Sequence, residues 1–217
     1  MKLKQTLTRK ITRSRLDEFL KAHGSDGRTL NIGFGGVPHR SFFPNTITLD
    51  IAKSGNPAIL GDAYFLPFTN GSFEIVLCTE VLEHLTEPQK AIDEIKRVLK
   101  KRGKLILTTR FLFPLHDIPS DYFRFTKYGL GYLLRDWNMV QITEETDTIE
   151  TLAVLLQRIA FQCEILHFKP LKGLFHLLAH VVKHLGFIIT REYGVWYDGV
   201  PEQKVMTSGY YVVAMKI

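Results

Sequence analysis

Apolar residues recur along the chain in two rhythms. Short, mostly apolar or β-branched runs stand at 29–32, 45–50, 58–62, 73–78, 104–109, 138–143 and 209–216, and glycine, carboxylate or turn residues bound most of them. Runs of that length with such borders predict buried strands. Between them the apolar positions follow the helical period. Ala91, Ile92, Ile95, Val98 and Leu99 form one face of a helix expected over 87–100, opened by Pro88 and stopped by Gly103. Further helices are expected at 16–23, 126–136, 152–166 and 168–189, with a brief helix or turn opening at Val37-Pro38. Strands alternating with helices imply an α/β protein with a doubly wound, mainly parallel seven-stranded sheet and helices on both faces. A C-terminal helical segment is added before the last strand. The expected organisation is one domain over 1–217, with a basic arm and helix at 1–27 and a helical insertion or lid at about 148–195.

This pattern matters for chemistry because sheets of this kind bind ligands at the carboxyl ends of their strands. The first strand ends in Gly33-Phe34-Gly35-Gly36, where missing Cβ atoms let a ligand approach the backbone. The second ends in Asp50, a carboxylate able to accept two hydrogen bonds from a ribose diol. The third ends in Asp62 and the fourth in Cys78-Thr79-Glu80. A dinucleotide loop would carry a third glycine where Pro38 stands, which disfavours an NAD-dependent oxidoreductase and favours a ribosylated ligand such as S-adenosylmethionine. Taken singly, the glycines also suit plain turns and the aspartates suit helix caps. Their convergence at strand ends favours a ligand.

Composition narrows the setting. The chain has 217 residues, 45% hydrophobic and 23% charged, as expected of a folded domain. Its two cysteines, Cys78 and Cys163, form no metal or redox motif, so no metal and a reducing, cytoplasmic setting are expected. The N-terminus has no apolar stretch of the secretory kind. The net charge is +6, part of it at Lys2, Lys4, Arg9, Lys10, Arg13 and Arg15, either a solvated tail or an arm for an anionic surface. Nucleic acid is not an expected partner, since no basic motif is interleaved with aromatics.

The stretch from Gly61-Asp62-Ala63-Tyr64 through Ser72-Phe73-Glu74-Ile75-Val76-Leu77 resembles the middle of a class I S-adenosylmethionine-dependent methyltransferase of the small, type 11 kind. So do Cys78-Thr79-Glu80-Val81-Leu82-Glu83-His84-Leu85 and, after the helix, Arg97 to Lys104. The resemblance covers about 28–136 well and the last strand weakly. It implies a Rossmann-like sheet and S-adenosylmethionine as cofactor. Gly33 and Gly35 would carry its methionine part and Asp50 its ribose. Asp62 and Ala63 would lie at its adenine, and Cys78, Thr79 and Glu80 would border its sulfonium. Two positions depart from the family pattern. Asn31 stands where an acid is usual, so it cannot neutralise the cofactor's ammonium, and Val37 stands where one more glycine is usual.

On the acceptor side, the loop after strand five combines apolar walls with His116, Asp117, Asp121, Tyr122 and Arg124. Related methyltransferases carry a similar His/Pro/Asp/aromatic/Arg-Phe-Thr run there. His116 is the expected general base, oriented by Asp117 or Asp121, and His84 is the second candidate. Asp121, Tyr122 and Arg124 are expected at the substrate, with an Asp121–Arg124 ion pair as the plainer reading. In 168–189, Lys169, Lys172, His176, His180 and Lys183 recur as a polar stripe among leucines, valines and isoleucine. That helix suits a lid or homodimer contact, or a peripheral membrane contact. The function expected is methyl transfer to a small-molecule acceptor, sugar- or lipid-linked. The alternative is a non-catalytic subunit that binds the cofactor.

Overall fold

The structure is a computed structural model that describes residues 8–36, 39–166, 169–194, 202 and 204–217. Val37-Pro38, where a helix or turn was expected to open, and the basic residues Lys2 and Lys4 lie outside the described residues. In chain order the elements are α1 (Ile11–Ala22), β1 (Thr29–Ile32), β2 (Thr46–Asp50), β3 (Ile59–Leu60), β4 (Phe73–Thr79), α2 (Pro88–Val98) and β5 (Leu99–Arg110). They continue with α3 (Lys127–Leu133), β6 (Asn138–Glu144), α4 (Thr148–Gln162), α5 (Lys169–Val182) and β7 (Gly209–Met215). The seven strands form one sheet in the order β3-β2-β1-β4-β5-β7-β6. It is mostly parallel and ends in an antiparallel hairpin.

The strands at the centre are apolar because they are covered. All four residues of β1 are buried, as are Val76, Leu77 and Cys78 of β4 and Leu105, Ile106 and Leu107 of β5. Parallel strands buried on both faces show such continuous apolar runs. The register sets Ile32 beside Leu49 and Cys78, and Thr79 beside Thr108. Gly33, Asp50, Thr79 and Arg110 therefore stand together at the carboxyl ends of their strands.

Two compact units divide the chain. One holds Phe19–Arg110, Leu115–Thr143 and Tyr210–Ile217. In it, Arg97 clamps the 66–70 loop to α2. Its guanidinium donates to the carbonyls of Leu66 and Phe68 and to Asn70 Oδ1 and Glu94, while Glu94 Oε2 accepts from Leu66 N at 2.8 Å. The other unit gathers the described residues up to Glu18, Phe111–Pro114 and Glu144–Gly209. Its core joins Ile11, Phe113, Ala153, Val154 and Ala179, with Leu156 and Val182 packed against it.

Several boundaries depart from expectation. α1 begins at Ile11, not at residue 16, because Gln157 Oε1 accepts from Ile11 N at 3.1 Å and Gln157 Nε2 donates to Arg9 O at 3.1 Å. Arg13 and Arg15 consequently belong to a helix rather than an arm. Arg13 pairs with Asp17 at 3.2 Å and Arg15 with Glu150 at 2.6 Å. α2 ends at Val98 and β5 starts at Leu99, five residues before the expected 104. The register passes from Phe73–Leu99 to Ile75–Lys104, so residues 100–103 bulge, with Arg102 at φ +58°. The expected helix at 168–189 is α5, followed by a separate 3-10 turn over Gly186–Ile188.

Candidate functional site

At the end of β1, Gly33, Gly35 and Gly36 all have positive φ. A Cβ on Gly33 would stand 2.2 Å from Val81 Cγ2, so only glycine fits between the loop and the segment after β4. Gly33 N donates to Leu49 O at 2.9 Å, which ties the loop to β2. Asp50 then fixes both sides. Its Oδ2 accepts from Gly35 N and its Oδ1 from Ala52 N, each at 2.9 Å. A carboxylate offers about four lone-pair sites, so both oxygens retain acceptor capacity for a diol. A Cβ on Gly55 would fall 2.4 Å from Gly36 Cα, a close approach that nothing in the pattern around 55 announced.

Asn31 is buried, and its Oδ1 has no hydrogen-bond partner among the described residues. An orphaned acceptor in that position calls for a donor, since leaving a buried polar group unpaired is costly. After β3, Asp62 Oδ1 accepts from Tyr64 N at 2.9 Å and Ala63 is buried. The residues present thus fit a ribosylated, amine-bearing cofactor: glycines for close approach, Asp50 for a diol, Asn31 Oδ1 for an ammonium.

A second cluster follows β4 and β5. Thr79 leads to Glu80, whose φ of +55° is unusual for a side-chain-bearing residue, and Glu80 pairs with buried Arg110 at the end of β5. Cys78 is buried, and burial, with Glu83 nearby, pushes its thiol up to about 12. It is a packed side chain near the end of β4, held as the thiol at neutral pH.

The 3-10 turn at Leu82–His84 holds the loop after β5. Glu83 O accepts from Tyr122 N at 2.9 Å and Phe123 N at 3.2 Å. The Glu83 side chain is fully buried, with Oε2 accepting from Thr109 Oγ1 at 2.8 Å. Burial holds its carboxyl above the usual range. Asp121 accepts both guanidinium nitrogens of Arg124 at 2.6 Å and the backbone N–H of His116 at 2.9 Å. Arg124's hydrogen bonds hold the Asp121 carboxyl well below its ordinary range. Asp121 and Arg124 therefore bind each other and brace the loop, while Tyr122 is half exposed.

The two histidines meet edge to face, with ring centroids 4.7 Å apart. His84 Nδ1 lies 2.6 Å from Ser120 O. A carbonyl only accepts, so Nδ1 donates to it, and in the neutral ring the lone pair falls on Nε2. Asp117 Oδ2, on a well-exposed side chain, is 3.8 Å from that Nε2. Both ring nitrogens of His116 are shielded from solvent, Nδ1 at 3.3 Å from Asp121 Oδ2 and Nε2 at 3.9 Å from Glu83 Oε1. Burial lowers its pKa below the ordinary histidine value, against the opposing pull of Asp121. Glu83, His84 and His116 bring three donor atoms within 4.8 Å of one another, a set a divalent ion could use. Glu83, Arg110, Ser120 and Thr109 were not singled out from sequence. The available signal was a charged residue closing the apolar β5 run and another beside His84 on an otherwise apolar turn.

Residues 42–107 match the family model described as "Methyltransferase domain". An uncharacterized protein of Methanocaldococcus jannaschii is 38% identical over 98 residues, 42% of this chain and 48% of its own length. A malonyl-[acyl-carrier protein] O-methyltransferase of Herminiimonas arsenicoxydans is 37% identical over 65 residues, 30% of this chain and 25% of its own length. The chain thus spans about half or less of the curated relatives it matches. Among solved structures, a SAM-dependent methyltransferase of Thermotoga maritima, titled a possible histamine N-methyltransferase, superposes with a TM-score of 0.61 at 14% identity, covering 98% of this chain and 93% of that one. S-adenosylmethionine is the cofactor that this family and fold imply. Over residues 42–107 the chain is thus similar to the methyltransferase-domain family, and its fold is the Rossmann-like one of the Thermotoga maritima structure.

Proposed function

We propose that this protein transfers the methyl group of S-adenosylmethionine to a small-molecule acceptor carried on a sugar or a lipid. The observation that carries the reading is the glycine loop locked to Asp50 through Gly35 N at 2.9 Å, with the buried Asn31 acceptor at the same strand end. In it, Asp50 holds the ribose, Gly33 and Gly35 admit the methionine part, and Asp62 and Ala63 meet the adenine. Thr79 borders the reacting centre, with Cys78 as its wall and Glu80 fixed by Arg110. When bound, the cofactor supplies an electrophilic methyl on a sulfonium, a good leaving group, so the protein's main task is alignment.

A base is needed where the acceptor is a hydroxyl. The geometry favours His84 over His116 for that role. His84 Nε2 has the lone pair, and Asp117 stands ready to stabilise the imidazolium. His116 acts behind it as a positioning residue, packed on the His84 ring and braced by Asp121 and Glu83. Exposed Leu115, Ile118, Tyr122 and Phe123 give this loop an apolar rim that suits a lipid-linked acceptor.

Transfer of labelled methyl to lipid and sugar-lipid extracts tests the reading. His84→Ala is expected to lower kcat on the responding acceptor by about a hundredfold or more. His116→Gln is expected to lower it less and to shift the acid limb of the pH profile. Full turnover by His84→Ala would remove it as the base.

A further inference from the structure

The Glu83 carboxylate is only half used. Its side chain is fully buried on the 3-10 turn over Leu82–His84, where Oε2 accepts from Thr109. Oε1 has no hydrogen-bond partner among the described residues. It stands 3.9 Å from His116 Nε2. That is too long for a hydrogen bond and suits two atoms that share a cation between them. The two rings are held as a cation would need them. His84 Nδ1 donates to Ser120 O at 2.6 Å, which leaves Nε2 as its donor atom for an ion. His116 Nδ1 lies 3.3 Å from Asp121 Oδ2, on the side away from the Nε2 that meets Glu83. An imidazole steadied at one nitrogen by a carbonyl or carboxylate, with the other nitrogen on the ion, is how proteins orient metal-binding histidines.

One ligand atom each from Glu83, His84 and His116 falls within 4.8 Å of the others. Zinc bonds of about 2.0–2.1 Å place ligand atoms about 3.4 Å apart in a tetrahedron, so the set closes on an ion by roughly 1–1.5 Å at most. The broad terminal torsion of histidine can supply that. Charge agrees. Glu80 pairs with Arg110 and Asp121 with Arg124, so with Glu83 ionised the carboxylates of Glu83 and Asp117 remain for a divalent ion to balance. Asp117, on an exposed side chain 3.8 Å from His84 Nε2, opens the set to solvent. Two imidazoles and one carboxylate favour a first-row transition metal over magnesium or calcium, which take oxygen ligands. We infer that Glu83, His84 and His116 form a binding site for a divalent transition-metal ion, with Asp117 at its mouth. The cysteine pattern predicts no metal, but this donor set contains no cysteine. Ion and proton compete for the one lone pair of His84 Nε2, so the base role proposed above belongs to the metal-free protein. The site itself stands apart from the methyl-transfer reading.

The test is titration of the whole chain, purified without a polyhistidine tag, with cobalt(II) read by visible absorption, followed by displacement with zinc. The wild type is expected to take up cobalt with the visible bands of a nitrogen- and oxygen-ligated ion and to release it to zinc. Glu83→Gln keeps the side-chain shape and removes the charge, and His84→Ala alters a partly exposed position. Each, checked for folding by circular dichroism, is expected to weaken binding by more than about tenfold. His180 and His184, with ring centroids 5.4 Å apart, are a second imidazole pair, and His180→Ala/His184→Ala is expected to leave cobalt binding unchanged. Failure of folded wild type to take up cobalt or zinc would overturn the inference. So would binding that survives both Glu83→Gln and His84→Ala, or binding that disappears in His180→Ala/His184→Ala.

Discussion

At the residue scale, the site depends on groups whose surroundings reset their chemistry. Cys78 lies at the edge of the cofactor region, yet burial pushes its thiol up to about 12, while Cys163 is exposed. Thiolate is the reactive form, so the two cysteines should differ sharply. Labelling of the native protein with a maleimide is expected to modify Cys163 and spare Cys78, with both reacting after denaturation. Labelling of Cys78 in the folded state would show that the β4 terminus opens. Asn31 is the other decisive residue. Its identity was legible as a departure from the acid usual in the family, but its burial and orphaned Oδ1 appear only in three dimensions.

At the scale of elements, α2 and the loop before β4 are joined by Glu94 and Arg97. Arg97's hydrogen bonds hold the Glu94 carboxyl below its ordinary value of 4.5 in the fold. A depressed carboxylate contributes stability that is present above its unfolded pKa and is lost as pH falls through the folded value. Glu94→Gln is therefore expected to cost about 1–2 kcal/mol at neutral pH and progressively less below pH 4.5. Urea melts of both proteins across that range would check it. A pH-independent difference would mean that packing, not charge, holds the loop.

Most strand bounds were legible, and at the centre of the sheet this is because buried parallel strands write apolar runs. Two kinds of feature were not. The bulge at 100–103 is set by pairing to β4 and β7, with Arg102 N donating to Lys216 O and Lys216 N to Gly103 O. The start of α1 is set by Gln157, 146 residues away along the chain. Local periodicity carries no record of either partner. The face presented by α5, with His176 buried and Leu174 and Leu178 exposed, was likewise hidden, because a helical wheel shows two faces without saying which one another helix covers.

At the scale of the molecule, the carboxyl ends of the strands gather Gly33, Asp50 and Thr79, and the turn at 82–84 extends the site to His84, His116 and the Asp121–Arg124 brace. The central claim is that this end of the sheet binds S-adenosylmethionine through Asp50. Calorimetric titration with S-adenosylmethionine and with its demethylated product, on the wild type and on Asp50→Ala, tests it most directly. The expected result is micromolar binding by the wild type and loss of more than about tenfold in the variant, as for a hydrogen-bonded charged group left without its partner. Absence of binding by folded wild type, or equal binding by Asp50→Ala, would contradict the assignment.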